Sequence, residues 1–148
     1  MLKNRLSFQR ISLMNGQVFN ISFGMEDSVR DDVIEDSRII IVEGVSDKRH
    51  LEKILDEQVN IICTYGTFGV EKFDIMLEEY ELDDRDVYIF VDADEPGVEL
   101  RSQLAQELPH AIHLYVSDEW GEVEVTPEKQ VAIELVKHDF NVHSIYLM

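Results

Sequence analysis

The sequence has a single cysteine, Cys63, and no long apolar run. One cysteine excludes an internal disulfide and a cysteine-based zinc site. No stretch approaches the roughly 18 apolar residues of a membrane helix, and residues 1–10 lack the apolar core of a secretory signal. These absences predict a cytoplasmic protein with no membrane partner.

Basic residues are also scarce, with 13 Lys and Arg against 31 Asp and Glu and a formal net charge of −18. Residues 1–42 carry five basic and six acidic side chains, whereas residues 43–148 carry eight and 25. Such an acidic body repels phosphate backbones, so nucleic acid is disfavoured as a partner without being excluded. A protein partner or a second copy of the chain is left open. Most of these acids are expected to form a solvated surface.

The remaining composition is that of one folded domain: 148 residues, of which 45% are hydrophobic and 9% aromatic. Apolar runs alternate with stretches of helical periodicity, which predicts βαβ units and a parallel sheet covered on both faces. Thr126 and Pro127 are predicted to cap and open the last helix. The apolar runs predicted as strands lie at 38–43, 59–63, 86–91, 111–116 and 142–147.

The N-terminal segment has a different pattern. Alternating apolar residues around Asn15 and Gly16 predict a β-hairpin, and an acidic linker follows it. We therefore predict an extension over residues 1–36 and an α/β domain over residues 37–148. The domain is expected to have a mostly parallel sheet of about four or five strands with helices on both faces.

Carboxylates follow two of the predicted strands. Glu43 ends the first strand, and Asp92 and Asp94 come just after the third, with Gly44 and Gly97 allowing tight turns nearby. The carboxyl ends of parallel strands converge on one crevice, where ligands usually bind. Three carboxylates there repel one another unless a cation lies among them. Oxygen-only ligands suit Mg²⁺, with Mn²⁺ as an alternative.

The segment "VEGVSD", followed by "DADEPG" beginning 49 residues after Glu43, resembles the Toprim domain of topoisomerases and bacterial primases. The tail resembles that of small stand-alone, primase-like Toprim proteins. The resemblance implies a Toprim (Rossmann-like) fold and phosphoryl-transfer chemistry. It implies that Glu43 is a general acid or base, or a metal ligand, and that Asp92 and Asp94 hold Mg²⁺.

The resemblance also implies residues that contact phosphate or substrate. Many relatives place a lysine directly after the Glu-Gly pair, where this chain has Val45, so nearby cations are candidates for that contact. Asp47 is equally well explained as a helix cap, and Arg101 as a salt-bridge partner. The candidates are Gly44, Asp47, Lys48, Gly66, Gly97 and Arg101.

Two functions remain compatible with the sequence. The first is Mg²⁺-dependent phosphoryl transfer on nucleic acid, as a nuclease or a primase-like enzyme. The second is a metal- or nucleotide-binding regulatory module with little catalysis of its own. A basic groove from Lys3, Arg5 and Arg10 to Lys48 and Arg101 is expected only for the first. Phospho-aspartyl folds are less compatible, since Glu43 stands where they need an aspartate nucleophile.

Overall fold

A four-stranded parallel sheet forms the centre of the domain. The computed structural model describes residues 38–66 and 69–148, so the predicted N-terminal hairpin and its boundary at residue 36 lie outside the described residues. The strands are β1 (Arg38–Val42), β2 (Asn60–Cys63), β3 (Asp86–Phe90) and β4 (Ile112–Leu114), in the spatial order β2-β1-β3-β4. The helices are α1 (Val45–Ile54), α2 (Val70–Glu79), α3 (Glu95–Glu107) and α4 (Glu128–Lys137).

Helices cover both faces of the sheet, as the sequence predicts. Because side chains alternate along a strand, Ile40 and Ile41 on β1 point to opposite faces. Ile40 packs in a core layer with residues of α1 and α4, whereas Ile41 packs in a second layer with residues of α2 and α3. Both isoleucines are fully buried. The unbroken apolar character of β1 is therefore explained by burial on two sides.

The chain segments that follow the two central strands, β1 and β3, cross opposite faces of the sheet and run to opposite edges. The chain passes from β1 through α1 on one face to β2, and from β3 through α3 on the other face to β4. Neighbouring parallel strands whose connections diverge in this way open a crevice at their carboxyl ends. No helix in the described part of the chain is long and apolar enough to cross a membrane.

Two local predictions were wrong. The apolar run at 142–147 is not a strand: Val142 makes an isolated bridge to Leu55, and Ser144–Leu147 is a 3₁₀ helix. Val142 and Tyr146 pack against the core, and a separation of four residues places two side chains on one face of either a strand or a helix, so the apolar pattern did not distinguish them. Helix α4 begins at Glu128 with Pro127 at its N-cap, so Thr126 is not the cap.

Candidate metal centre at the carboxyl edge of the sheet

Glu43 is the first residue after β1, at the carboxyl edge of the sheet. Backbone pairing continues past the strands there, because Thr64 N donates to Val42 O (3.0 Å) and Tyr65 N donates to Glu43 O (2.6 Å). These two hydrogen bonds fix the position of the main chain at Glu43. Within the described residues, the Glu43 carboxylate itself makes no hydrogen bond or ion pair.

Asp94 begins helix α3. It is the N-cap residue, and its Oδ1 accepts a hydrogen bond from Gly97 N at 2.9 Å. The first turn of α3 lies directly on the end of β3, because a β-carbon at position 97 would meet the Asp92 carbonyl oxygen at 2.1 Å. Only glycine permits this approach. Gly97 thus lets the helix bring Asp94 close to Asp92.

Asp92 is held by a loop that follows β4. Its Oδ1 accepts a hydrogen bond from Val123 N (2.8 Å), and the next residue, Ala93, donates its N–H to Gly121 O (2.6 Å). Burial raises the pKa of Asp92, the bond from Val123 opposes that rise, and the charge of Asp94 adds to it. The side chain is therefore fixed through one oxygen in an acidic environment.

The carboxylates are close enough to influence one another. The pKa of Glu43 is raised by burial first, and then by the negative charges of Asp92, Asp94 and Glu122. Each of these charges disfavours ionisation of Glu43. The three predicted metal ligands thus lie at the same edge of the sheet, with Glu43 within range of the charges of Asp92 and Asp94.

Asp47 turns back toward the start of its own helix. Its Oδ2 accepts a hydrogen bond from Gly44 N at 3.0 Å, and the residue is only 6% exposed. Burial raises the pKa of Asp47 to about 6; the bond from Gly44 opposes this rise, and the charges of Asp92, Glu124 and Glu43 add to it. Its helix-capping role is visible in the structure, and its predicted contact with substrate stays a prediction.

Arg101 is engaged by the backbone. Its guanidinium donates to Leu114 O (2.7 Å) and, at 3.4 Å, to the carbonyls of Ile89 and Val91. It also lies 4.3 Å from the centroid of the Tyr115 ring. These contacts join the ends of β3 and β4. The geometry favours this structural role over the predicted phosphate contact, which stays untested.

The two other predicted phosphate-binding residues lie around the end of β2. Gly66 has a φ of +96°, in the region that favours glycine, so it serves the turn after β2. Lys48 is half-buried on α1, and its charge opposes the rise that burial causes in the pKa of Cys63. Lys48 is therefore close to β2. The remaining part of the predicted basic groove, Lys3, Arg5 and Arg10, lies outside the described residues.

Sequence reasoning missed two acids, Glu122 and Glu124. Glu122 adds to the raised pKa of Glu43, and both acids add to that of Asp92. They flank Val123, which is fully buried in the core. The alternation of acids and valines in "EVEV", shortly after the last strand, was the available signal that this acidic segment folds back onto the sheet.

The donor set fits a hard divalent cation. Every candidate ligand is a carboxylate oxygen, and the repulsion among these groups is relieved by positive charge. Within residues 38–66 and 69–148, no three His, Cys, Asp or Glu side chains form a ready-made metal cluster. Mg²⁺ does not need one, since it is usually bound through one or two carboxylates, with water and substrate phosphates completing its coordination.

Comparison with known proteins agrees with this geometry. A family model described as the Toprim domain matches residues 38–126, so the chain belongs to the Toprim domain family. Toprim domains generally bind Mg²⁺ in enzymes that act on nucleic acids.

Two individual relatives extend the match. A small TOPRIM domain protein from Bacillus stearothermophilus, of known structure, is 38% identical, with a TM-score of 0.71 over 76% of this chain and 93% of that one. The uncharacterized protein YusF of Bacillus subtilis (strain 168) is 44% identical over 110 residues, which is 74% of each chain. The predicted family and the α/β fold are thereby confirmed.

Proposed function

We propose that this protein binds Mg²⁺ through Glu43, Asp92 and Asp94 and catalyses phosphoryl transfer on nucleic acid, as a nuclease or a primase-like enzyme. The observation that carries the proposal is the position of Glu43, Asp92 and Asp94 just after the two neighbouring inner strands, at one edge of the sheet. Burial raises the pKa of Glu43, and the charges of Asp92 and Asp94 raise it further. Three acids on two separate loops are held together at the cost of mutual repulsion. A divalent cation bound among the three carboxylates offsets that repulsion.

Each acid has its own task in this proposal. Asp92 is fixed through Oδ1 by Val123 N, which leaves its second oxygen to face the cation. Asp94 is fixed through Oδ1 by Gly97 N in the same way. When bound, Mg²⁺ polarises a phosphate oxygen and stabilises the charge that develops in the transition state.

Glu43 is the residue we assign to proton transfer. Its carboxylate makes no hydrogen bond or ion pair within the described residues, so it is free to accept a proton. In hydrolysis, Glu43 takes a proton from the attacking water as the new P–O bond forms. The P–O bond to the leaving sugar oxygen then breaks, that oxygen takes a proton from solvent water, and Glu43 returns its proton to solvent.

Two observations favour a second function, a metal- or nucleotide-binding regulatory module. The net charge is −18, and Arg101, a predicted phosphate contact, instead donates to main-chain carbonyls. A chain with this electrostatic surface attracts nucleic acid poorly unless a partner or the metal compensates. The regulatory module keeps the metal site and lacks the cleavage activity.

A calorimetric titration with Mg²⁺ and Mn²⁺ tests the metal site. Wild type is compared with Asp94→Asn and with Asp83→Asn, which removes one negative charge from an exposed acid in the 3₁₀ turn Leu82–Asp84. We expect one specific site in wild type and in the Asp83 variant, and its loss in the Asp94 variant. Equal binding by all three proteins would refute the site.

Substrate assays then separate the two functions. Single-stranded and double-stranded DNA and RNA are incubated with wild type and with Glu43→Gln in the presence of Mg²⁺. Cleavage or extension by wild type that the Glu43 variant lacks supports the enzyme. Specific Mg²⁺ binding without turnover of any substrate supports the regulatory module.

A further inference from the structure

One peptide group, between Glu122 and Val123, is held by hydrogen bonds on both sides. Its N–H, from Val123, donates to Asp92 Oδ1 at 2.8 Å. Its carbonyl, from Glu122, accepts from Thr126 Oγ1 at 2.6 Å. The N–H and C=O of a trans peptide point in opposite directions within one plane. A bond that fixes the carbonyl therefore also fixes the direction of the N–H.

Thr126 is buried, so its hydrogen bond to the Glu122 carbonyl cannot easily be replaced by water. The residue is 2% exposed, so its hydroxyl has little access to water and depends on the Glu122 carbonyl as its partner. A hydrogen bond accepted by the carbonyl also polarises the peptide and makes its N–H a stronger donor. The hydroxyl of Thr126 thus strengthens and directs the bond to Asp92.

The same residue is tied to helix α1. His50 Nε2 lies 2.7 Å from the carbonyl oxygen of Thr126, and because a carbonyl only accepts, Nε2 is the donor. The side chain of Val123, fully buried in the core layer beneath α1 and α4, provides a further anchor. The segment from 121 to 126 is therefore fixed at both ends and in the middle.

We infer that Thr126 is a positioning residue of the metal centre, which acts through the Glu122–Val123 peptide to hold Asp92 in the orientation that binds the cation. The inference rests on the proposed metal site and extends it to a residue that does not touch the cation. Asp92 bonded through Oδ1 presents its other oxygen in one direction. Without the Thr126 hydroxyl, the Glu122 carbonyl loses its hydrogen-bond donor, and the direction of the Val123 N–H toward Asp92 is less tightly fixed.

The experiment uses a pair of substitutions that differ in one group. Thr126→Val keeps the shape of the side chain and removes the hydroxyl, whereas Thr126→Ser keeps the hydroxyl. Ser117→Ala is the control, because it removes from the same loop a hydroxyl that is bonded to Glu119 N instead. Mg²⁺ affinity is measured by calorimetry, hydrogen exchange of the Val123 amide by NMR, and Tm by calorimetric scanning.

We expect Thr126→Val to weaken Mg²⁺ binding about tenfold, at the lower end of the effect of removing a direct hydrogen-bond partner of a metal ligand, because Thr126 acts on Asp92 through one intervening peptide. It should also accelerate exchange of the Val123 amide. Thr126→Ser and Ser117→Ala should bind Mg²⁺ like wild type. A merely structural threonine would lower Tm in Thr126→Val and leave the Mg²⁺ affinity of the folded protein unchanged. That result would overturn the inference.

Two further outcomes are decided in advance. If Thr126→Val does not fold, His50→Ala loosens the same segment from α1 and takes its place, with the same expected loss of affinity. If wild type itself binds no Mg²⁺, the proposed function fails and the inference falls with it. Unchanged affinity in a folded Thr126 variant overturns the inference alone.

Discussion

The helix α3 backbone at Gly97 lies against the carbonyl of Asp92 so closely that a β-carbon there would stand 2.1 Å from the oxygen. The next two atoms that it would meet, at 2.7 and 3.1 Å, also belong to the Asp92 main chain. Backbone cannot move aside as a flexible side chain can. Helix α3 therefore cannot shift toward the end of β3 without displacing the Asp92 main chain.

The first prediction concerns Gly97→Ala. The added methyl group must displace either α3 or the end of β3, so we expect a loss of more than about 2 kcal/mol in the free energy of unfolding. Urea unfolding measures it. Gly69→Ala is the control, because Gly69 also lies at the start of a helix, as the N-cap of α2, and a β-carbon there meets nothing within 4 Å. Equal stability of the two variants would show that the contact between the α3 backbone at Gly97 and the Asp92 main chain does not limit substitution.

A second prediction separates the two roles of Asp94. Asparagine is a good N-cap, so Asp94→Asn should keep the bond from Gly97 N and nearly all of the stability. Asp94→Ala loses the cap and should cost about 1 kcal/mol. Both variants should lose specific Mg²⁺ binding. Thermal unfolding and calorimetry on the same samples decide this, and an asparagine variant that binds Mg²⁺ normally would remove Asp94 from the ligand set.

The third prediction is a pH dependence due to Asp47, whose pKa rises from an ordinary 3.8 to about 6 in the folded protein. Folding thus favours the protonated acid. Between pH 4 and 6 the unfolded chain ionises while the folded chain keeps its proton, so the contribution of Asp47 to stability falls as pH rises.

Asparagine at position 47 cannot ionise and still offers an oxygen to Gly44 N. In metal-free buffer at pH 7.5, we expect Asp47→Asn to be more stable than wild type by about 1–3 kcal/mol, since one unit of pKa shift is equivalent to about 1.4 kcal/mol. The difference should vanish near pH 4. Urea unfolding from pH 4 to 7.5 measures this difference in the free energy of unfolding. A difference that does not change with pH would exclude ionisation of Asp47 as its cause.

A fourth prediction links Mg²⁺ binding to protons. The pKa values of Glu43, Asp47 and Asp92 are all raised, and a bound cation favours their ionised forms. Binding should release protons, and affinity should increase from pH 5.5 to 7.5. Calorimetry in two buffers with different ionisation enthalpies counts the protons released. Identical heats in both buffers at pH 5.5 would contradict the linkage.

The fifth prediction decides the role of Arg101. Arg101→Met removes the donors to the carbonyls of Val91 and Leu114, so we expect a loss of about 2–3 kcal/mol in stability. Mg²⁺ binding by the folded variant should persist. Arg49→Met, at an exposed position on α1, is the control and should unfold like wild type. A stable Arg101 variant with weakened nucleic-acid binding would support the phosphate contact instead.

The sequence was sufficient to locate Glu43, Asp92 and Asp94 at one edge, because unbroken apolar runs mark buried parallel strands and their ends converge. It was insufficient for the run at 142–147, where short apolar stretches fit a strand and a helical turn equally well.

Thr126 and Arg101 show a different limit of sequence reasoning. The sequence predicts Thr126 as a helix cap, and Arg101 as a phosphate contact or a salt-bridge partner. Their actual partners, the carbonyls of Glu122 and Leu114, are main-chain groups that carry no sequence signature. Contacts of a side chain with distant backbone become visible only when the fold is known.

The order of the strands determines where further strands or domains can be added without disturbing the proposed metal ligands. The three proposed ligands come from the loops after β1 and β3, which are the two inner strands, while β2 and β4 form the edges of the described sheet. Additional strands or whole modules joined beyond either edge leave the loops after the two inner strands unchanged. The same minimal centre is thus suited to serve in chains of very different length and architecture.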